Sequence, residues 1–266
     1  MSRDARWSAL LELLAQHGRV EVEDAAAALD VSTATIRRDL DQLAEQQLLT
    51  RTRGGAVAHG VSYELPLRYK TARHASEKQR IGRAAADLVA AGQVVGLTGG
   101  TTTTEVARAL AVRADIAGDT GAAAGARPAL TVVTNALNIA GELVIRPQIK
   151  TVVTGGVARP QSYELIGPLA GGVLEQITLD VAVLGVNAVD PERGVYVHHE
   201  GEASVNRLLA ERAQRVVVAA DSSKIGRAAF ARVCEPARID VLVTDTGITA
   251  EASARLTEAG VTVVAV

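Results

Sequence analysis

A series of short apolar runs, VVGLT, LTVVT, KTVVT, DVAVLGV, RVVVAA and DVLVT, falls between Val94 and Thr244, separated by helical stretches such as Thr103 to Ala111 and Ala203 to Ala213. Each run is rich in β-branched residues and too short for a buried helix, so it predicts a strand covered on both faces. Strands that alternate with helices pair in parallel, because a parallel connection must cross over and has room for a helix. The region from Glu77 to Val266 is therefore read as a doubly wound, mostly parallel α/β domain. Gly118 to Pro128, GDTGAAAGARP, interrupts the alternation and reads as a surface loop.

With 48% apolar residues the 266-residue chain can bury a substantial core, but aromatics are 2%, so that core is aliphatic. The same scarcity excludes the stacking platforms of single-strand nucleic-acid binders. The one cysteine, Cys234, excludes an internal disulfide and a multi-thiolate zinc site. Asp4, Arg6, Glu12 and Gln16 break the first apolar run, which is thus neither a signal peptide nor a membrane span. The expected location is the cytoplasm, with no membrane partner.

Residues 1–58 follow a different rhythm. Trp7, Leu10, Leu11 and Leu14 share one helix face, and Gly18 supplies a stop. A second helix covers Val22 to Leu29, Asp30-Val31 turns the chain, and Ser32 caps a third helix that runs to about Gln46. Ile36, Leu40 and Leu43 anchor one side of that helix, leaving Ala34, Arg37, Arg38 and Asp41 on the other. LLTRTRGGAV then alternates Thr50, Arg51, Thr52 and Arg53 before a Gly54-Gly55 turn. Each arginine alone reads as a solvated surface residue. The ordered combination reads as a winged helix-turn-helix.

Such a recognition helix enters the major groove of double-stranded DNA by its N-terminal end, which assigns Ser32, Thr33, Thr35, Arg37 and Arg38 to phosphates and base edges. Arg51 and Arg53 would come from the wing. The formal net charge of −2 means that any basic footprint is local. Useful affinity then requires paired modules, hence at least a dimer. Residues 59–76, with Pro66 and charges of both signs, read as a linker to the second domain, 77–266.

In an open parallel sheet, ligands bind beyond the carboxyl ends of the strands. Here those ends carry Thr98-Gly99-Gly100, Asn135, Gly155-Gly156, Asn187 and Asp221. In GLTGGTTTTEVARAL the glycines allow a tight turn and Thr101 to Thr104 open a helix, an arrangement suited to phosphate. No GKS or GKT follows, so it is not a P-loop. From the residues alone, a phosphate cradle and a plain threonine-capped connection both remain open. Lys224, in DSSK, reads as a phosphate or sugar ligand or as a turn lysine; Asn135 reads as a sugar-hydroxyl ligand or an Asx cap. From the residues alone, Glu202 reads as an exposed first-turn carboxylate that offsets the helix dipole. His198 and His199 beside Glu200 and Glu202 suggest metal, but adjacent residues on an extended segment point opposite ways and no third ligand accompanies them. No metal, cofactor or catalytic set is assigned.

TIRRDL followed by the Arg-Gly-Gly wing, with EKQRIGRAAADLV, GTTTT, VVTNA and DSSK, resembles the DeoR family of bacterial transcriptional regulators over nearly the whole chain. The resemblance implies a C-terminal sensor similar in fold to ribose-5-phosphate isomerase. It implies a phosphorylated sugar or related metabolite as effector, held by Thr98, Gly99, Gly100, Thr101, Thr102, Thr103, Asn135, Asn187, Glu202, Asp221 and Lys224. A homodimeric or homotetrameric repressor of a carbohydrate-use operon follows. The family often places acidic residues where Thr98 and Asn187 stand, and small hydroxyl residues and a proline near Tyr196 to His199. Those departures leave the effector open. The alternative is a sugar-phosphate isomerase with an appended DNA-binding domain, which would need a carboxylate base beside the phosphate.

Overall fold

The computed structural model describes residues 1–46, 48–58, 67–70, 73–117 and 128–266. They divide into two units, Met1–Arg73 and His74–Val266.

The N-terminal unit begins with α1 (Arg3–His17), capped by Ser2 and closed by Gly18 in the left-handed conformation, φ 72°. β1 (Arg19–Glu21), α2 (Val22–Leu29) and α3 (Thr33–Glu45) follow, then a wing of β2 (Thr50–Arg51) and β3 (Gly55–Val57). Leu10, Leu11, Leu14, Ile36, Leu40 and Leu43 are fully buried in one aliphatic cluster with Trp7. Each such side chain contributes roughly 1.5–3 kcal/mol by leaving water. The expected two-stranded wing is in fact three-stranded, because β1 pairs antiparallel with β3. Its three residues, RVE, are too few to register as an alternating pattern. Within the segment read as linker, α4 (Leu67–Lys70) adds Tyr69 to the same cluster. Residues 59–66, Pro66 among them, and 71–72 of that linker, and residues 118–127 of the expected loop, lie outside the described residues.

The C-terminal unit runs through α5 (Ala75–Asp87), β4 (Val94–Leu97), α6 (Thr101–Val112), α7 (Ala114–Ala117), β5 (Leu130–Thr134), α8 (Leu137–Leu143) and β6 (Ile149–Val153). The hairpin of β7 (Val157–Ala158) and β8 (Leu165–Ile166) leads into α9 (Pro168–Leu174) and β9 (Leu179–Gly185). Next come β10 (Ala188–Asp190), β11 (Gly194–Val197), α10 (Glu200–Arg212), β12 (Ala213–Ala219) and β13 (Ala231–Cys234). β14 (Val241–Thr244), α11 (Ala250–Glu258) and β15 (Thr262–Ala265) complete it.

Seven strands form one sheet in the order β15-β14-β12-β9-β4-β5-β6, and every pairing in it is parallel. All six apolar runs read as strands lie in this sheet, and β15 is the one not anticipated. Alternate residues point to opposite faces. Val95, Leu97, Val181 and Val183 join Ile81, Val106, Leu110 and Ile139 of the helices on one side. Ala182, Leu184, Val216 and Val218 join Leu174, Leu209 and Leu256 on the other. Cys234 sits beside this second layer, and burial pushes its thiol pKa up to about 11. From β4 the chain winds outward to β5 and β6, then returns to β9 on the opposite side of β4 and winds out the other way. The strand order therefore reverses between β4 and β9, and that is where such sheets open a crevice.

Candidate functional site

α3 presents its N-terminal end to solvent. Ser32 Oγ accepts from Thr35 N at 3.2 Å, and Ser32, Thr33, Arg37 and Arg38 are exposed while Thr35 is half-buried. Arg37 makes only a loose 3.9 Å pair with Glu23, both side chains being mostly in water. Arg53, at the wing tip, is also exposed. Arg51 is placed differently: its Nε donates to Asp41 at 2.7 Å and its Nη1 donates to the Gly55 carbonyl, so it ties the wing to α3. One residue of α3 escaped the sequence reading. Asp39 is buried and accepts from Trp7 Nε1 at 2.9 Å and from the Arg6 guanidinium, fixing α3 against α1. An aspartate between two arginines and a leucine gives no pattern by which to see this.

In the C-terminal unit the crevice at the β4–β9 junction is built first from Thr98. Its hydroxyl accepts from Gly185 N at 2.8 Å and stitches the two strand tips together. Gly100 then takes φ 132°, a conformation open mainly to glycine. Gly99 lies so close to Glu164 that a Cβ would meet Glu164 Oε1 at 2.5 Å. Gly100 is the cap residue of α6, and no side chain caps the helix. The threonines thus do not cap as expected: Thr103 and Thr104 donate their hydroxyls back to the Gly100 carbonyl at 3.1 and 2.7 Å. The start of α6, with Thr101 to Thr103 buried around it, keeps the positive end of its dipole directed at the crevice. Thr102 Oγ1 is buried with no hydrogen-bond partner among the described residues.

Asn135, at the tip of β5, is completely buried and does not cap α8. Its Nδ2 donates to Glu164 Oε2 at 2.9 Å, and its Oδ1 has no partner among the described residues. Glu202, which dipole logic alone would leave exposed and the resemblance places at the effector site, is buried and paired with Arg159 at 2.9 Å. Farther down the same face of α10, both amide atoms of buried Asn206 lack partners among the described residues. Asn187 uses its Oδ1 to accept from His198 N at 3.1 Å, which latches the end of β11.

Past β12, Lys224 Nζ donates to the Val186 carbonyl at 2.7 Å and stands 3.9 Å from Asp221, which draws it inward. Burial would raise the Asp221 pKa, but Lys224, a hydrogen bond from Ser223, and the charges of His74 and Lys78 outweigh it and hold the group below its ordinary value. Ser222 is fixed by Asp245, which accepts from its N and Oγ at 2.7 and 2.8 Å. His199 Nδ1 accepts from Gly201 N and so caps α10. Among the described residues no cluster of three metal-ligating side chains occurs.

The tip-of-strand rule found Thr98 to Thr103, Asn135 and Asp221, and the sheet brings these to one edge. It missed Glu164 and Arg159, which arrive on the β7–β8 hairpin and follow no long apolar run. Lys78, buried on the same face of α5 as Ile81, Gly82 and Ala85, was also not singled out.

A family described as the DeoR-like helix-turn-helix domain matches residues 6–60, and one described as the DeoR C terminal sensor domain matches residues 73–246. The chain is 34% identical over 249 residues to the HTH-type transcriptional repressor GlcR of Bacillus subtilis strain 168, spanning 92% of this chain and 89% of that one. It is 30% identical over 245 residues to the glycerol-3-phosphate regulon repressor of Escherichia coli strain K12, spanning 92% of each. Among solved structures, ribose 5-phosphate isomerase A of Methanocaldococcus jannaschii is similar over 57% of this chain and 55% of its own, at 19% identity and a TM-score of 0.40. No described helix is long and apolar enough to cross a membrane.

Proposed function

The chain belongs to the DeoR family of DNA-binding transcriptional regulators, and on that premise we propose that it is a cytoplasmic repressor of a carbohydrate-use operon, released by a phosphorylated sugar or related metabolite. Both relatives named above are repressors. The observation that carries the effector reading is the start of α6 at the β4–β9 crevice: a helix N-terminus without a side-chain cap, beside buried polar atoms that lack partners among the described residues. The effector's phosphate takes the N–H groups of Gly100 to Thr103, with Lys224 supplying charge. Its hydroxyls take Asn135, Glu164 and the buried end of α10 at Glu202. Thr98 and Asn187 shape the crevice by holding β9 and β11 in place.

On the DNA side, Ser32, Thr33, Thr35, Arg37 and Arg38 read the groove, Arg53 meets the backbone, and Arg51 sets the angle of the wing. Two such modules in a homodimer or homotetramer face the two halves of an operator. A gel-shift titration on the DNA upstream of its own operon tests this reading, and absence of binding at low salt overturns it.

One observation favours a second reading. Glu164 puts a buried carboxylate against Gly99 of the cradle, where an isomerase would need its base. A coupled assay with pentose and hexose phosphates separates the two, since turnover lost in Glu164→Gln would favour the enzyme.

A further inference from the structure

Asn206 is 1% exposed, and neither the oxygen nor the nitrogen of its amide has a hydrogen-bond partner among the described residues. A primary amide offers an acceptor and two donors, and burying it with none of them used is costly. Its place follows from the packing of α10. Glu202, Asn206 and Leu209 are spaced four and three residues apart, so they form one stripe on the buried face of that helix. The Leu209 end of the stripe lies over β4, where a Cβ on Gly96 would meet Leu209 Cδ2 at 3.0 Å. α10 packs against β9 and leads straight into β12, which is parallel to β9, so the helix runs antiparallel to these strands. Its N-terminal end therefore lies toward their carboxyl ends. Asn206, one turn nearer that end than Leu209, faces the sheet between Gly96 and the Thr98 tip of β4.

Side chains alternate across a strand, so Thr98 shares the Gly96 face of β4 and Asn135 shares the Val133 face of β5. Gly96 and Val133 are paired in register, and Val133 belongs to the cluster that α10 covers. The β7–β8 hairpin closes this side. Its Glu164 holds Asn135, its Arg159 holds Glu202, and its Ile166 Cδ1 stands 3.0 Å from where a Cβ on Gly201 of α10 would be. Asn135 Oδ1 and the Asn206 amide thus lie on one side of the β4–β5 tips, beneath one hairpin, and both lack partners among the described residues. Buried polar atoms left in this state mark a place that a polar ligand completes. An anion could use only the Asn206 nitrogen and would strand the oxygen. Two adjacent hydroxyls, one donating to Oδ1 and one accepting from Nδ2, use both atoms.

We propose that Asn206 is a specificity-determining residue of the effector site, its amide bonding sugar hydroxyls at the end of the effector away from the phosphate. This rests on the phosphorylated-effector reading above and narrows it to a polyhydroxylated phosphate ester. A site built to bond a hydroxyl rejects the analogue that lacks it, because its buried polar atoms are then left unpaired.

Full-length wild type, Asn206→Leu and Asn206→Ala are compared by thermal melt and calorimetric titration, with a panel of pentose and hexose phosphates and the monodeoxy analogues of each as probes. The wild type is expected to bind at least one phosphorylated probe, and to bind one of its monodeoxy analogues roughly tenfold or more weakly. Asn206→Leu should bind the parent probe about as weakly as wild type binds that analogue, and should bind the analogue as wild type does. The penalty for the missing hydroxyl then disappears with the amide, as it does when two groups are in direct contact. Without ligand, Asn206→Leu should melt at or above the wild type, since no bond within the fold is lost. Where Asn206→Leu proves misfolded, Asn206→Ala decides by the same comparison. Three results would overturn the proposal: both variants melting well below the unliganded wild type, a parent probe bound equally by variant and wild type, or a loss shared equally by the parent and all its analogues. The effector reading survives each, because the wild type still responds. A wild type that binds no phosphorylated probe overturns the effector reading and this proposal together.

Discussion

Glu164 holds the amide of Asn135. The Nδ2 of Asn135 donates to Glu164 Oε2 at 2.9 Å, which turns the Asn135 oxygen into a buried position with no partner among the described residues. The pair joins the tip of β5 to the β7–β8 hairpin at the mouth of the crevice, next to Gly99. On the proposed reading, a carboxylate there repels phosphate but accepts from sugar hydroxyls, so it would sort the two ends of a sugar phosphate.

Glu164→Gln should weaken binding of the phosphorylated effector by about 10-fold to 100-fold, the worth of a hydrogen bond to a charged acceptor. The glutamine oxygen can still accept from Asn135, so the melting temperature without ligand should change little. Calorimetric titration and a thermal melt measure the two effects separately.

Gly99→Ala should silence the response while leaving DNA binding intact. The new Cβ would meet Glu164 Cγ at 2.3 Å, and relieving such overlap costs about 1–3 kcal/mol or displaces the carboxylate. In a gel shift, this variant should bind operator as wild type does and stay bound when the effector is added.

Asp39→Ala should cost the N-terminal unit about 3 kcal/mol, since it strands the Arg6 guanidinium and the Trp7 N–H that Asp39 receives. α3 then loses its brace against α1. DNA affinity should fall with stability in this variant, although Asp39 itself touches no DNA; a melt monitored by Trp7 fluorescence detects the first effect.

How much of this was legible beforehand differs between the two units. The stop of α1, the end of α2 and the cap of α3 follow from local rules: Gly18, Asp30 and Ser32 act on their own neighbours. The strands of the sheet were legible because both of their faces are buried. β1 was not, because RVE has no periodicity and pairs only once β3 is present. Glu164, Arg159 and Asp39 were hidden for the same reason: their roles depend on partners 29, 43 and 33 or fewer positions away. The exposed Glu202 expected from helix-dipole logic is buried because Arg159 comes from the hairpin to meet it.

The arginines of the recognition helix and wing should separate by salt dependence. Arg37→Ala and Arg38→Ala should each lower the slope of log affinity against log salt by about 1 if they meet phosphate, or change sequence preference if they meet a base. Arg51→Ala should instead loosen the wing and lower stability, because its guanidinium is spent on Asp41 and Gly55. Fluorescence anisotropy on operator DNA at several salt concentrations resolves these outcomes.

On the proposed function, an anion in the crevice of the C-terminal unit decides whether α3 stays on DNA. This is tested most directly by the anisotropy of labelled DNA from upstream of the operon, with full-length protein at low salt, titrated with pentose and hexose phosphates and with the corresponding free sugars. Tight binding that one phosphorylated compound reverses in a saturable way, and its free sugar does not, is the expected result. Binding that no phosphorylated compound alters, or that the free sugar reverses equally well, would contradict it.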